Sequence, residues 1–165
     1  MIFNYLCLFS MKKALKTEFL YSIFIGMVIL MPKINNKIYT DGAARGNPGP
    51  GSWAFVLVSD DKVLFEDKGT LGHTTNNVAE YNAIINGLKM AKRYGWTDVT
   101  VMSDSQLAIN QLNGAWRVKK EHLRTLYDKA MDLVAFFDSV KFVHAPRNTS
   151  FIERADHLAN MALDE

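Results

Sequence analysis

Four acidic side chains stand at places in the sequence where carboxylates could hold metal ions. Asp41 ends a predicted strand, Glu80 lies in the first turn of a predicted helix, Asp104 follows a buried strand, and Asp156 lies in the last helix. Carboxylates gathered without a counter-ion repel, at a cost of roughly 4 kcal/mol for a pair about 4 Å apart at an effective dielectric near 20. A cluster of this kind therefore needs divalent cations, and all-oxygen ligation suits Mg²⁺ or Mn²⁺. Two ions about 4 Å apart could activate a water and stabilise the leaving oxygen of a phosphodiester.

Each carboxylate also has a purely structural interpretation. Asp41 precedes a glycine and could form a turn, Glu80 fits the third position of a capping box, and Asp104 could cap the next helix. Asp156 could lie on a solvated helix face, although it borders the apolar arc of Ile152, Ala155 and Ala159. Taken together, these structural alternatives are weaker than a shared metal role. They would require all four side chains to lie at one end of the sheet by chance.

The elements that must position these side chains follow from apolar spacing. Composition typical of β-structure predicts strands at residues 37–40, 52–58, 62–72, 98–103 and 140–144. Helical spacing predicts helices at residues 78–94, 105–112, 119–137 and 151–163. The order βββαβααβα predicts an α/β fold in which a mixed sheet begins with an antiparallel meander and carries helices on its faces.

The ends of the first and fourth strands are the predicted meeting point. In an open α/β sheet, ligands gather at the carboxyl ends of strands, especially where the strand order reverses. If these two strands are neighbours, Asp41 and Asp104 meet there. The loop after Asp41 carries five glycines and prolines between Gly46 and Gly51. Glycines allow a backbone to come close to a ligand.

Composition favours one globular domain and limits the ways in which it could bind nucleic acid. The chain has 165 residues, of which 48% are hydrophobic and 22% charged, with a net charge of +2. Residues 1–31 supply all of that charge, so residues 32–165 are neutral overall and could bind nucleic acid only through local basic patches. The single cysteine, Cys7, excludes an internal disulfide and a cysteine-based zinc site, and it is consistent with a reducing, cytoplasmic location.

The first 31 residues differ in composition from the rest of the chain. Residues 19–31 form an uncharged run of thirteen, which follows three lysines and is too short to span a bilayer comfortably. The run resembles a signal-peptide core, but no A-x-A-like cleavage site follows. The preferred interpretation is an over-extended reading frame that truly starts at Met31 or Met27. A membrane-tethering or export segment and a packed extra helix are alternatives, and membrane association is not expected.

Five short motifs carry a family resemblance that covers nearly all of residues 36–164. They are YTDG at 39–42, GNPGPG at 46–51, TTNNxxE at 74–80, SDSQ at 103–106 and ADxLA at 155–159. With these motifs the sequence resembles a type 1 ribonuclease H. One motif alone would not be specific, whereas the set is.

The resemblance implies a fold, an activity and a partner. The implied fold is ribonuclease H-like, a five-stranded mixed sheet with three antiparallel strands, then two parallel ones, and helices on both faces. The implied catalytic domain is residues 32–165, with residues 1–31 as an extension outside it. The implied activity is endonucleolytic hydrolysis of the RNA strand of an RNA–DNA hybrid, leaving 5′-phosphate and 3′-hydroxyl ends. It would use two Mg²⁺ ions, with Mn²⁺ as a substitute, in a monomer without an obligate protein partner.

The same resemblance assigns roles to individual residues. Asp41, Glu80, Asp104 and Asp156 match the family's metal-binding, catalytic carboxylates. Polar residues of the shared motifs make up the implied substrate-binding set, which is Asn47, Thr75, Asn76, Asn77, Ser105 and Gln106. Among these, Asn47, Asn76 and Gln106 match positions that read the hybrid's minor groove, where the 2′-hydroxyl distinguishes RNA from DNA. Duty in a loop or a helix cap is the alternative for each asparagine. Thr75 matches part of a pocket for a DNA phosphate, in which His73 replaces the usual arginine.

The first departure from the family pattern is a missing basic protrusion. The second predicted helix leads through residues 113–116 directly into the third, as in the compact, archaeal-like branch of the family. A small basic patch remains beside Trp116, formed by Arg117, Lys119, Lys120 and Arg124. This patch could contact phosphates, and a solvated helix start is the alternative.

The second departure lies in the loop before Asp156. The family often has a mobile histidine there, and an ungapped comparison puts Pro146 at its position, flanked by His144 and Arg147. We favour Arg147 as the catalytic replacement, acting as a charge donor to the leaving phosphate. A catalytically weak hybrid-binding module and a different nuclease on the same fold are the competing functions.

Overall fold

Nine elements make up the part of the chain that the computed structural model describes, residues 35–165. The predictions for residues 1–31 lie outside the described residues. In chain order the elements are β1 (Asn36–Ala44), β2 (Gly49–Ser59), β3 (Lys62–Thr74), α1 (Asn76–Arg93), β4 (Asp98–Ser103), α2 (Gln106–Leu112), α3 (Glu121–Val134), β5 (Ser139–His144) and α4 (Ser150–Asp164). The predicted order of strands and helices is confirmed.

The strands form one five-stranded mixed sheet in the order β3-β2-β1-β4-β5. β1 pairs antiparallel with β2, and β2 with β3. β4 runs parallel to both β1 and β5. The predicted five-stranded mixed sheet is therefore confirmed, including the neighbouring positions of the first and fourth strands.

The two faces of the sheet are buried by different helices. Alternate residues of a strand point to opposite faces. Ile38 and its face neighbours pack with α1, α2 and α3, for example against Leu88. The next residue, Tyr39, points to the other face, where it packs with Ile152 and Ala155 of α4. Helices thus cover both faces and hold the sheet edge that carries the candidate site.

Asp41 does not end its strand, contrary to the sequence prediction. β1 continues to Ala44, and Asp41 lies opposite Ala54 in the antiparallel ladder. The glycine-proline segment misled the prediction because β2 already begins at Gly49, within that segment. The carboxylate therefore projects from a paired, buried strand, which fixes its position more firmly than a turn would.

The capping alternatives left open for Glu80 and Asp104 are not realised, and the predicted place of Glu80 in the first turn of its helix is wrong. α1 begins at Asn76 after the extended residue Thr75, so Glu80 is beyond the first turn, which contains no acidic residue. Ser105 rather than Asp104 is the N-cap of α2, and its Oγ accepts a hydrogen bond from the Ala108 N–H at 3.4 Å. Both carboxylates are consequently free of capping duty.

Other boundaries differ by a few residues. α3 is shorter at both ends than the predicted 119–137. At its C-terminal end the chain leaves the α-helix through hydrogen bonds to the third residue back, such as Phe136 N–H to the Leu133 carbonyl. The predicted end of α1 is confirmed: Gly95 adopts a left-handed conformation with φ of 71° and stops the helix. Within residues 35–165, no helix combines the length and apolar character needed to cross a bilayer.

Candidate active site

Adjacent parallel strands bring Asp41 and Asp104 together. Thr40 of β1 is the register partner of Ser103 of β4, so the next residue on each chain segment is one of the two aspartates. Glu80 joins them from α1. One carboxylate oxygen from each of Asp41, Glu80 and Asp104 can be chosen so that the three lie within 4.8 Å of one another. Three of the four predicted carboxylates therefore converge.

Gly42 allows α1 to come close enough for Glu80 to take part. A Cβ at residue 42 would lie 2.7 Å from the Glu80 Cα and closer still to the Glu80 nitrogen and the Ala79 carbonyl carbon. Glu80 Oε1 itself accepts a hydrogen bond from the Asn76 side-chain amide at 3.4 Å. This packing role of Gly42 has no signal in the local sequence pattern, in which the glycine is only part of the YTDG motif.

Asp156 reaches the same cleft from α4, at the edge of the cluster. Its Oδ1 accepts a hydrogen bond from the Arg147 guanidinium at 2.5 Å. Arg147 Nε lies 4.0 Å from Asp104 Oδ2. The predicted replacement for the histidine is thus in contact with the carboxylates. His144 instead bonds through its ring to the main-chain oxygen of Asp104 at 3.1 Å.

The cluster is electrostatically strained when it contains no cation. Burial, followed by the nearby charges of Asp104 and Asp156, raises the pKa of Asp41 from its ordinary 3.8 to about 7. Burial, followed by the charge of Asp41, raises the pKa of Glu80 well above its ordinary value. In both cases the charged form is disfavoured because water is excluded and like charges are close.

The cleft around the carboxylates has a volume of about 440 Å³ and contains most of the predicted substrate-binding residues. Its lining includes Asn76, Asn77, Ser105 and Gln106. Asn47 and Thr75 do not line it. Both flank the start of α1, where the Asn47 side-chain oxygen accepts a hydrogen bond from the Asn76 N–H at 3.2 Å and Thr75 is the N-cap. The capping alternative left open for Asn47 is therefore realised.

A second groove of about 490 Å³ adjoins the cleft and shares Asn77 and Leu107 with it. Trp116, with 47% exposure, lines it together with Arg117, Lys119 and Lys120. Arg124, the fourth residue of the predicted patch, pairs with Asp128 at 3.1 Å instead. A buried bond at 2.8 Å from the Tyr81 hydroxyl to Gln111 Oε1, unnoticed in the sequence, ties α1 to α2 beneath the groove.

Comparison with known proteins identifies the family of this chain. Residues 39–162 match the family described as reverse transcriptase-like. Ribonuclease HI of Halobacterium salinarum is 46% identical over 128 residues, which is 77% of this chain. The crystal structure of RNase H1 from the same archaeon superposes with a TM-score of 0.75 at 44% identity, covering 79% of this chain and 98% of that one. The chain belongs to the type 1 ribonuclease H family.

A further solved ribonuclease H resembles this chain in the same region. LC11-RNase H1, whose structure is a complex with an RNA/DNA hybrid, superposes with a TM-score of 0.74 at 37% identity, covering 79% of this chain and 97% of that one. The chain spans 63% of the length of the Halobacterium salinarum ribonuclease HI sequence. It spans 35% of the length of mycobacterial relatives that are 41% identical.

The donor set of the cluster fits divalent metal ions. Its members are carboxylate oxygens, the ligand type that Mg²⁺ and Mn²⁺ prefer. Among the described residues, the one buried side-chain oxygen or nitrogen without a hydrogen-bond partner is Glu80 Oε2. An unpartnered buried oxygen is costly, and a cation ligated by this oxygen would remove the cost.

We expect the melting temperature of the metal-free protein to fall as the pH rises from about 4 to about 7. In this window the native state holds a proton on Asp41, whose pKa is about 7, whereas the unfolded state with a pKa near 3.8 has lost it. The free energy of unfolding therefore falls as the pH rises, until Asp41 ionises in the native state as well. The raised pKa of Glu80 adds to this fall.

Thermal unfolding with EDTA and with saturating Mg²⁺, from pH 4 to pH 8, measures this effect. Mg²⁺ should raise the melting temperature most at the alkaline end, where the carboxylates bind without first losing protons. A melting temperature that stays level with pH in EDTA, or that Mg²⁺ leaves unchanged at pH 8, would contradict a clustered carboxylate site.

Proposed function

We propose that this protein is a metal-dependent endonuclease that hydrolyses the RNA strand of RNA–DNA hybrids and leaves 5′-phosphate and 3′-hydroxyl ends. The observation that carries the proposal is the convergence of the Asp41, Glu80 and Asp104 oxygens within 4.8 Å, with Asp156 in the same cleft. Family membership and the hybrid complex of LC11-RNase H1 support the substrate. The catalytic domain in this proposal is residues 32–165.

The four carboxylates are the proposed ligands of two divalent ions, Mg²⁺ or in its place Mn²⁺. When bound, such ions activate a water and stabilise the leaving oxygen of a phosphodiester. Asp41 and Glu80 are 3% and 4% exposed, so these two ligands lie where bulk water is excluded. The close packing of α1 against Gly42 positions Glu80, and strand pairing holds Asp41. Rigid support of this kind keeps ligands in position for catalysis.

Polar residues around the cleft are the proposed contacts to the hybrid. Asn76, Asn77, Ser105 and Gln106 line the cleft and offer amide and hydroxyl groups to minor-groove atoms, including RNA 2′-hydroxyls. Asn47 and Thr75 flank the start of α1; Asn47 is proposed to reach the minor groove from there, and Thr75 to contact a phosphate of the DNA strand. The adjoining groove with Trp116 and its basic neighbours offers a stacking surface and positive charge to the second strand.

Several further properties belong to the same proposal. A monomer is the proposed working unit, because one chain supplies all four carboxylates. A compact, archaeal-like form is proposed because the connection from α2 to α3 is only residues 113–120. The cytoplasm is proposed as the location because the single cysteine fits a reducing compartment.

Side-by-side cleavage of three labelled substrates tests the function. We expect cleavage of an RNA–DNA hybrid in Mg²⁺, no cleavage of double-stranded or single-stranded RNA, and no cleavage in EDTA. Cleavage of double-stranded RNA at a similar rate would favour a different nuclease on this fold. Binding of the hybrid without cleavage in either Mg²⁺ or Mn²⁺ would favour a hybrid-binding module.

Arg147 is the proposed charge donor to the departing phosphate. Its guanidinium already lies among the carboxylates, within reach of Asp104 and Asp156. We expect Arg147→Ala to lower kcat about 10- to 100-fold while changing hybrid affinity by less than about threefold. Single-turnover rates and equilibrium binding of a hybrid in Ca²⁺ separate the two quantities. A loss mainly in affinity would make Arg147 a binding residue instead.

A further inference from the structure

Arg147 has an unusual position for a positively charged side chain beside a metal site. Its Nη2 donates a hydrogen bond to Asp156 Oδ1 at 2.5 Å, and its Nε lies 4.0 Å from Asp104 Oδ2. Two of the proposed metal ligands thus share one guanidinium. A guanidinium and a divalent ion compete for the same carboxylate oxygens, because both are held by charge and by direct contact with those oxygens.

In the part of the chain that the structure describes, Asp41 and Glu80, the other two proposed ligands, have no positively charged side chain in contact with them. Within residues 35–165, Asp41 and Glu80 form no salt bridge, and Glu80 Oε2 has no hydrogen-bond partner. The cluster therefore has two unequal halves. One half is Asp41 with Glu80, which among the described residues have no positively charged side chain within salt-bridge distance. The other half is Asp156, which is already paired with Arg147. Asp104 belongs to both halves, since it supplies one oxygen to the three-carboxylate cluster and its Oδ2 lies 4.0 Å from Arg147 Nε.

The Arg147 side chain is able to leave its position. It is 71% exposed, whereas Asp104 and Asp156 are 17% and 29% exposed. Both of its ion pairs are made with the cluster, and no other salt bridge to Arg147 exists in the described part of the chain. An exposed side chain held only by exchangeable ion pairs can swing into water at low cost.

We propose that Arg147 is a built-in counter-ion that holds the Asp156 side of the site in the metal-free protein and must be displaced when a second divalent ion binds. This inference rests on the proposed function because it takes the four carboxylates as ligands of two ions. The first ion binds at Asp41, Glu80 and Asp104 without moving Arg147. The second ion needs Asp156, so its apparent affinity is reduced by the contacts of the guanidinium that it replaces.

Titration calorimetry of the metal-free protein with Mn²⁺ tests the proposal without measuring activity. In the unsubstituted protein we expect one tighter and one weaker binding event. In Arg147→Gln the weaker event should tighten about tenfold, since a competing positive charge a few ångströms away is removed. The tighter event should change by less than about threefold. In Arg147→Lys, which keeps the charge, the weaker event should remain weak.

Arg154→Gln is the matched control. Arg154 lies on α4, close in sequence to Asp156, and forms an exposed ion pair with Glu66 outside the lining of the cleft. The Arg154→Gln substitution removes one positive charge, as Arg147→Gln does, but no contact to the carboxylate cluster. Both Mn²⁺ binding events should therefore stay unchanged. Melting temperatures provide a second measurement: Arg147→Gln should gain more from saturating Mn²⁺ than the unsubstituted protein does.

Three results would overturn the proposal. The first is a weaker event of equal affinity in Arg147→Gln and the unsubstituted protein. The second is an equal tightening of both events in Arg147→Gln, and the third is a tightening in Arg154→Gln as well, since either would indicate a general charge effect. Hybrid cleavage by the unsubstituted protein, measured in the same Mn²⁺ buffer, separates the two ideas. If the unsubstituted protein cleaves the hybrid but Arg147→Gln binds Mn²⁺ as the unsubstituted protein does, only the counter-ion role of Arg147 is rejected. If Mn²⁺ binding changes as expected but the hybrid is not cleaved, only the proposed function is rejected.

Discussion

Replacing Asp41 with asparagine should abolish Mg²⁺-dependent hybrid cleavage and at the same time stabilise the metal-free protein. Asparagine keeps the size of the side chain but removes the negative charge that a divalent ion needs, so we expect turnover to fall about 10³-fold or more. Without metal the same charge destabilises the native state, because burial and the neighbouring carboxylates raise the Asp41 pKa to about 7. Removing it should raise the free energy of unfolding at pH 8 by on the order of 2 to 4 kcal/mol.

Opposite changes in activity and stability distinguish a functional cluster from a structural one. A structural carboxylate would lose stability when replaced, whereas a ligand held against repulsion gains it. Chemical unfolding in EDTA at pH 8, together with hybrid cleavage, measures both effects. Asp128→Asn is the control, because Asp128 is an exposed residue of α3 paired with Arg124, and neither quantity should change by much. Loss of stability in Asp41→Asn, or retained turnover, would refute the assignment.

The order of elements was predictable from local patterns, and the meeting of Asp41 with Asp104 from a general rule about strand ends. Alternating and helical apolar spacing identified the strands and helices, and the known tendency of ligands to lie at strand ends selected the edge. The position of Asp41 within β1 was not predictable in the same way. Whether pairing continues past a glycine-rich segment depends on the partner strands, and here Ala44 is still paired with Gly51.

Contacts between distant segments account for the other differences. Glu80 has the spacing of a capping residue, but its carboxylate faces β1 because Gly42 lets α1 approach closely. The pairing of Arg147 with Asp156 joins a loop to a helix, and no local pattern encodes such a contact. Asn160 donates a hydrogen bond to the Asp156 carbonyl within α4, and it was missed because its place in the lining of the cleft depends on how α4 packs on the sheet.

Gly42→Ala should damage both the fold and the site, because the space for a side chain is taken by the main chain of α1. The added Cβ would lie 2.7 Å from the Glu80 Cα, and ordinary contacts between such atoms begin near 3.4 Å. A main-chain neighbour cannot rotate away as a flexible side chain would, so α1 must shift as a unit relative to β1. We expect a loss of about 3 kcal/mol or more in the free energy of unfolding.

The same shift would move Glu80 away from Asp41, and its effect on turnover should exceed what the loss of stability explains. A displacement of about 1 Å at a catalytic group can cost about 10²-fold in rate. Gly72→Ala is the matched control. Gly72 has a φ of 68° but nothing within 4 Å of an added Cβ, so it should cost about 1 kcal/mol of backbone strain and leave turnover intact. Three measurements test these effects. Urea unfolding gives the loss of stability, and the gain in melting temperature with Mg²⁺ reports on the metal site. Hybrid cleavage, at a temperature where both variants are folded, gives the loss of turnover. Equal turnover in Gly42→Ala and Gly72→Ala would show that the position of Glu80 does not depend on the close approach of α1 to β1.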